Sequence, residues 1–262
     1  MAKYSLQEIR QSHTQKKQFD SQFPFSARVV RPLSFYSAWM LLQLTESPSR
    51  IAFAGLVIGI AGCFSLTQIP EWTVWPALIL LLLYDLLDAT DGNVARVTGN
   101  VSYYGKFLDG AIGNLIEGTY ALWMGVGMYR LYQHQAWIGW PGPAGYALVV
   151  LVAGATITWT TMYSSLVRDA YYGHYETMQR IAAPGQKKDA LRQEIETSTF
   201  SRSPWYLLHL NASSFDIQLL VLLICSVARR VDVFLLGYAA YFVLQAFAYL
   251  AFYIRRAQRN LI

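Results

Sequence analysis

Residues 72–96, WTVWPALILLLLYDLLDATDGNVAR, decide how the rest of the chain is read. From Trp72 to Leu87 the run is almost wholly apolar, and it then passes without a turn signal into the polar stretch Asp88 to Arg96. An apolar helix near 20 residues crosses a bilayer core of about 30 Å. The stretch therefore reads as a membrane span that ends in charge.

Working outward, the neighbouring segments have the same character. Ser47-Pro48 supplies a helix start, Ser as cap and Pro in the first position, ahead of a span from Ile51 to Leu66. Gly99-Asn100 forms a brief link to a third helix from Tyr103 to Leu131, and further spans are expected over Pro143 to Val167, Phe215 to Ala228 and Val231 to Ile254. The first 48 residues read as a polar arm followed by an interfacial helix through Phe35, Tyr36, Trp39, Met40, Leu41, Leu42 and Leu44, too short to cross. The fold class expected is all-α, a polytopic membrane bundle of six spans in one domain over residues 1–262, with no internal repeat.

Composition agrees: 54% of residues are hydrophobic and 14% charged, too apolar for a soluble domain of 262 residues. The net charge of +5 is scattered between the apolar runs and forms no single patch, so nucleic acid is not an expected partner and the lipid bilayer is. Basic residues favour the cytoplasmic side. That rule puts the N-terminal arm, the tail (Arg255, Arg256, Arg259) and a loop over 168–213 (Arg168, Arg180, Lys187, Lys188, Arg192, Arg202), expected to hold short amphipathic helices broken at Pro184-Gly185, inside, whereas Arg229-Arg230 falls outside and counts against it. No removable leader is expected from Met1 to Asp20.

Chemistry concentrates in Asp88-Ala-Thr-Asp91-Gly92-Asn-Val-Ala95-Arg96 and, eight residues on, Gly105-Lys-Phe-Leu-Asp109. Asp88 and Asp91, three apart, project from neighbouring positions of one helix face. Asp109 opens the next helix of a tight hairpin that can bring the three carboxylates together. Three such groups repel and are costly to desolvate, and a divalent cation removes the conflict. An all-oxygen set favours Mg²⁺ or Mn²⁺, one or two ions, shared with substrate phosphates. Arg96 can add a phosphate contact, and Gly92, Ala95 and Gly105 keep the helix surfaces open to a ligand.

This pattern resembles the signature of the CDP-alcohol phosphotransferases, a family of integral membrane enzymes, and six spans with a cytoplasmic site resemble their fold. The resemblance implies that Asp88, Asp91 and Asp109 bind metal and the pyrophosphate of a CDP-linked donor, with Gly92, Ala95, Arg96 and Gly105 bordering the CDP moiety. It implies transfer of a phospho-alcohol group to an acceptor hydroxyl with release of CMP, in phospholipid or related biosynthesis at a bacterial inner membrane or its equivalent. It also implies a homodimer. The family pattern carries a further Asp four residues after the third, as the base for the acceptor hydroxyl, and here that position is Gly113. Along the same stripe Glu117 lies one turn deeper, and Asp85 is a second spare acid. Asp109 taking the proton, an acceptor already acidic, and reduced activity are the other readings. The alternatives to an enzyme are a relative that binds CDP-lipid without turnover, and an ion-coupled transporter.

The remaining candidates read as structural. Cys63 and Cys225 lie in apolar runs, His134 and His209 are isolated, and Trp72, Trp75, Trp137 and Trp140 suit an aromatic belt. Arg168, His174 and Arg202 are candidates for an anionic group, set against an ordinary basic loop.

Overall fold

The computed structural model describes residues 4–14, 20–68, 74–133, 142–182 and 204–260, and every regular element among them is helical. The short helix α1 (Leu6–Ser12) is closed by a capping box between Ser5 and Glu8. A π-helical turn over Ser26–Val30 runs directly into α2 (Arg31–Leu41). There follow α3 (Pro48–Leu66), α4 (Val74–Thr98), α5 (Tyr103–Tyr132), α6 (Pro143–Ala182), α7 (Pro204–Ala212), α8 (Phe215–Val227) and α9 (Val231–Asn260).

Over their described residues, the six apolar segments of the sequence fall in helices. Three of these, Pro48–Leu66, Pro143–Tyr171 and Val231–Gln258, are long and apolar enough to cross a membrane. Helices α4 and α5 have the length but carry carboxylates, and the 13 residues of α8 reach only about 20 Å at 1.5 Å per residue. Large apolar side chains such as Val57, Phe64, Ile79, Trp159, Leu244 and Phe247 face outward from the bundle. In water such surfaces would drive aggregation, and in lipid they are ordinary. The chain is a membrane-embedded helical bundle, and the composition of the helices does not by itself fix six crossings.

Two sequence expectations are corrected. The fourth helix does not end at Val167 but runs on to Ala182, well into the stretch read as a loop from residue 168. Nothing between Arg168 and Ala182 breaks a helix, and the first strong breaker is Pro184-Gly185. Pro48 takes the first helical position of α3 as expected, but Ser47, though extended, makes no side-chain cap. Trp72, His134, Trp137, Trp140, Lys187, Lys188, Arg192 and Arg202 lie outside the described residues.

Helices α3, α4 and α5 pack together through glycines on α3. A β-carbon at Gly59 would stand 2.9 Å from Ile116 and 3.1 Å from Tyr84, so only the missing side chain lets α3 lie against both neighbours. A second apolar cluster, Ile9, Ala38, Leu42, Ile51, Leu87 and Val94, seats α1 and α2 on the C-terminal half of α4. The opposite face of α2 exposes Leu33, Tyr36 and Met40. Their spacing of three and four residues gives one outward apolar stripe, the form an interfacial helix takes.

The turn after α8 shows how the basic pair Arg229-Arg230 is accommodated. Arg230 pairs with the buried Asp232 at 3.1 Å, and Tyr146 donates to the same carboxylate at 2.5 Å. Arg229 sits at φ 55°, in the left-handed position of a Schellman end whose bonds are Arg230 N–H to Cys225 O and Arg229 N–H to Ser226 O. A side chain in that conformation costs about 1 kcal/mol or more. Arg229→Gly is therefore expected to raise the unfolding midpoint of the purified protein, a gain of about 1 kcal/mol, readable by thermal or denaturant melts in detergent.

Candidate metal and phosphate site

The site lies where α4 ends and α5 begins. Helix α4 does not stop at the first acid but continues through Asp88 to Thr98, because the stretch holds no proline and Gly92 costs a helix only about 1 kcal/mol. Gly99, at φ +72°, then turns the chain. Ser102 caps α5, its hydroxyl accepting from the Gly105 N–H at 3.0 Å. With so short a link the two helices leave side by side, and Asp109 is carried back toward α4 in the second turn of α5.

Asp88, Asp91 and Asp109 each offer a carboxylate oxygen, and these oxygens lie within 4.8 Å of one another. Asp91 is buried at 8% exposure, Asp88 half-buried and Asp109 exposed, so the cluster opens outward past Asp109. The three acids share a recess with Ala52, Gly55, Tyr84 and Ile112. Two full carboxylate charges under 5 Å apart repel by roughly 3–4 kcal/mol at an effective dielectric near 20. Among the described residues that line the recess there is no lysine or arginine, and Arg96 offsets part of this repulsion from outside it. Oxygens sharing one Mg²⁺ stand at most about 4.2 Å apart, so the donor set fits a hard divalent cation after a small closure.

The other sequence candidates divide. Gly92, Ala95, Arg96 and Gly105 do not line the recess. Arg96 folds back over Gly92, its Nη1 only 3.3 Å from where a β-carbon there would stand. Glu117 is half-buried below Gly113, and the Tyr84 hydroxyl donates to its Oε1 at 3.3 Å. That same oxygen lies 3.8 Å from the position a β-carbon would take at Gly113. Asp85 lies within electrostatic reach of Asp216 at the start of α8, of Asp88 and of Arg31. Arg168 pairs with Asp169 on an exposed turn of α6 at 3.1 Å. His209 is held between the hydroxyls of Tyr241 at 2.7 Å and Tyr249 at 3.1 Å, a packing role.

Several polar residues around the site carry no signal in the sequence. Tyr84 joins the recess to Glu117. Asp20, at 5% exposure, pairs with His13 at 2.5 Å and Arg31 at 2.9 Å, fixing the N-terminal arm. The buried Asn93 bonds Ser34 on α2. These partners lie 7 to 59 residues apart, with only His13 and Asp20 close in sequence, and no local spacing foretells them.

A family model described as CDP-alcohol phosphatidyltransferase matches residues 45–185. Among curated proteins, cholinephosphotransferase 1 of Bos taurus is 31% identical over 117 residues, covering 41% of this chain and 29% of its own. Phosphatidylinositol phosphate synthase of Streptomyces avermitilis is 30% identical over 103 residues, covering 38% and 40%. Archaetidylinositol phosphate synthase of Aeropyrum pernix is 35% identical over 91 residues, covering 33% and 47%. The chain thus spans less than half the length of each of these relatives.

Proposed function

The chain belongs to the CDP-alcohol phosphatidyltransferase family, and on that premise we propose that it moves a phospho-alcohol group from a CDP-linked donor to an acceptor hydroxyl, releasing CMP. The observation that carries this reading is the convergence of Asp88, Asp91 and Asp109 on one recess at the junction of α4 and α5. These three would hold Mg²⁺ or Mn²⁺, one or two ions. When bound, the metal would supply charge neutralisation for the donor's pyrophosphate and for the leaving phosphate oxygen. Arg96 would contact an anionic oxygen of the donor, with Gly92, Ala95 and Gly105 bordering the nucleotide.

The acceptor hydroxyl attacks the phosphorus that bears the donor alcohol, the bond to the CMP oxygen breaks, and the acceptor's proton must go to a base. We assign that base to Glu117, supported by its carboxylate standing 3.8 Å from the point where a side chain at Gly113 would begin. Tyr84 steadies it there. The site would face the cytoplasm of a six-span protein of a bacterial inner membrane or its equivalent, in a homodimer.

Purified protein incubated with Mg²⁺, CDP-diacylglycerol, CDP-choline, CDP-ethanolamine or CDP-glycerol, and a set of hydroxyl acceptors, is expected to release CMP from at least one donor. No CMP from any combination, with metal-dependent CDP binding retained, would favour the second reading, a non-catalytic CDP-lipid binder, to which Gly113 lends support. Glu117→Gln is expected to slow CMP release by about 100-fold or more, and Gly113→Asp in the same chain is expected to restore a large part of it. Full turnover by the Gln variant would remove Glu117 from the mechanism.

A further inference from the structure

Arg96 is held by a chain of hydrogen bonds that starts inside the acidic motif at Asn93 and leaves it for α2. Its Nη2 donates to Asn93 Oδ1 at 2.6 Å, Asn93 Nδ2 donates to Ser34 Oγ at 2.8 Å, and Ser34 Oγ donates to the Arg31 carbonyl at 2.9 Å. Asn93 and Ser34 are both fully buried, at 0% exposure. The chain of bonds has one direction. A guanidinium only donates and a carbonyl only accepts, so the amide of Asn93 must turn its oxygen to Arg96 and its nitrogen to Ser34. The reversed amide would set two donors against each other at Arg96.

The guanidinium is left with an unused donor. Arg96 Nε is buried and has no hydrogen-bond partner, an arrangement native proteins seldom leave unfilled. The group lies across Gly92, its Nη1 and Nη2 standing 3.3 and 3.5 Å from where a β-carbon there would be, and within electrostatic reach of Asp91. An acceptor oxygen arriving there would complete it, and the metal cluster one residue away selects for an anionic one.

We propose that Asn93 and Ser34 are positioning residues: they aim Arg96 at a phosphate oxygen of the donor, so that the donor site depends on how the interfacial helix α2 is seated on α4. This rests on the reading of Arg96 as a donor contact. Its physical content is pre-organisation. A long side chain fixed in its binding rotamer loses less entropy when the ligand arrives.

The test is equilibrium binding of CDP in Mg²⁺ to the full chain in nanodiscs, together with donor and acceptor KM from CMP release. Arg96→Ala is expected to weaken CDP binding by about tenfold or more. Asn93→Leu should come close to the same loss, and the double variant should be no weaker than Arg96→Ala alone, because the pair acts as a unit. Asn93→Asp keeps the acceptor for Arg96 and should stay within about threefold of the parent, which guards against a variant that merely misfolds. Ser34→Ala, which frees the amide to turn, should raise the donor KM and leave the acceptor KM where it was. Additive losses in the double variant, or an Asp variant as weak as the Leu variant, would overturn the proposal. An Arg96→Ala protein with unchanged CDP binding would overturn it together with the donor contact, while continued CMP release would leave the transferase reading standing. Absence of CMP release with Arg96-dependent CDP binding would remove that reading and leave this one.

Discussion

Asp91→Asn is expected to reduce CMP release by more than about 100-fold while leaving the protein folded. The side chain keeps its shape and loses one charge from a cluster whose oxygens lie within 4.8 Å. Changes to groups that merely support metal ligands already cost about 10- to 100-fold, so loss of a ligand from a three-carboxylate set should cost more. The sign of the stability change separates a metal site from a structural one. Without metal, removing one of three mutually repelling carboxylates relieves strain, and the variant should melt no lower than the parent. With Mg²⁺ at 100 times its dissociation constant the parent should gain about 2.7 kcal/mol, and the variant should gain far less. A parent whose melting point ignores Mg²⁺ and Mn²⁺ would argue that the acids do not hold a cation, and an Asn variant that melts well below the parent in metal-free buffer would argue that Asp91 is there for packing.

How much of this could be read from sequence depends on how local each feature is. The motif acids are spaced along one helix and the start of the next, joined by only Gly99 to Ser102, so their meeting is a matter of helix geometry and needs no distant contact. The apolar runs that become α3, α4, α6 and α9 declare themselves through length alone. The end of α6 did not, because Arg168 to Ala182 is polar enough to read as loop and yet contains nothing that stops a helix. The stripe Gly105, Asp109, Gly113 and Glu117 was visible as a period of four. That the Tyr84 hydroxyl, 33 residues away in sequence, holds Glu117 there was not. The Ser34–Asn93 bond spans 59 residues, and only the seating of α2 on α4 creates it.

The second large effect is expected far from the acids, at the crossing of α5 and α6. A β-carbon on Gly154 would collide with the carbonyl oxygen of Ala121 and stand 3.1 Å from the Cα of Gly125. All of these are backbone atoms, which cannot turn aside as a flexible side chain would. The contact is reciprocal, for a β-carbon on Gly125 would lie 3.2 Å from the Leu151 carbonyl oxygen and 3.3 Å from the Gly154 Cα. Small residues that bring helix backbones together are a main source of packing energy within membranes, where apolar burial gives no advantage over lipid. Gly154→Val must therefore push the helices apart by about an ångström and unseat neighbours such as Met124 and Val150, both at 0% exposure. Over-packing of this kind costs about 3 kcal/mol or more when the obstacle is rigid. The Val variant is expected to be recovered poorly and to melt well below the parent, with Gly154→Ala intermediate. Gly237→Ala on α9, where an added β-carbon meets nothing within 4 Å, should be neutral or better. The same displacement moves α5, which carries Asp109 and Glu117, so any Val variant that does fold should bind Mg²⁺ more weakly than the Gly237→Ala control although neither substitution touches the recess. Equal metal affinity in the two would mean that α5 holds its place against α4 without help from α6.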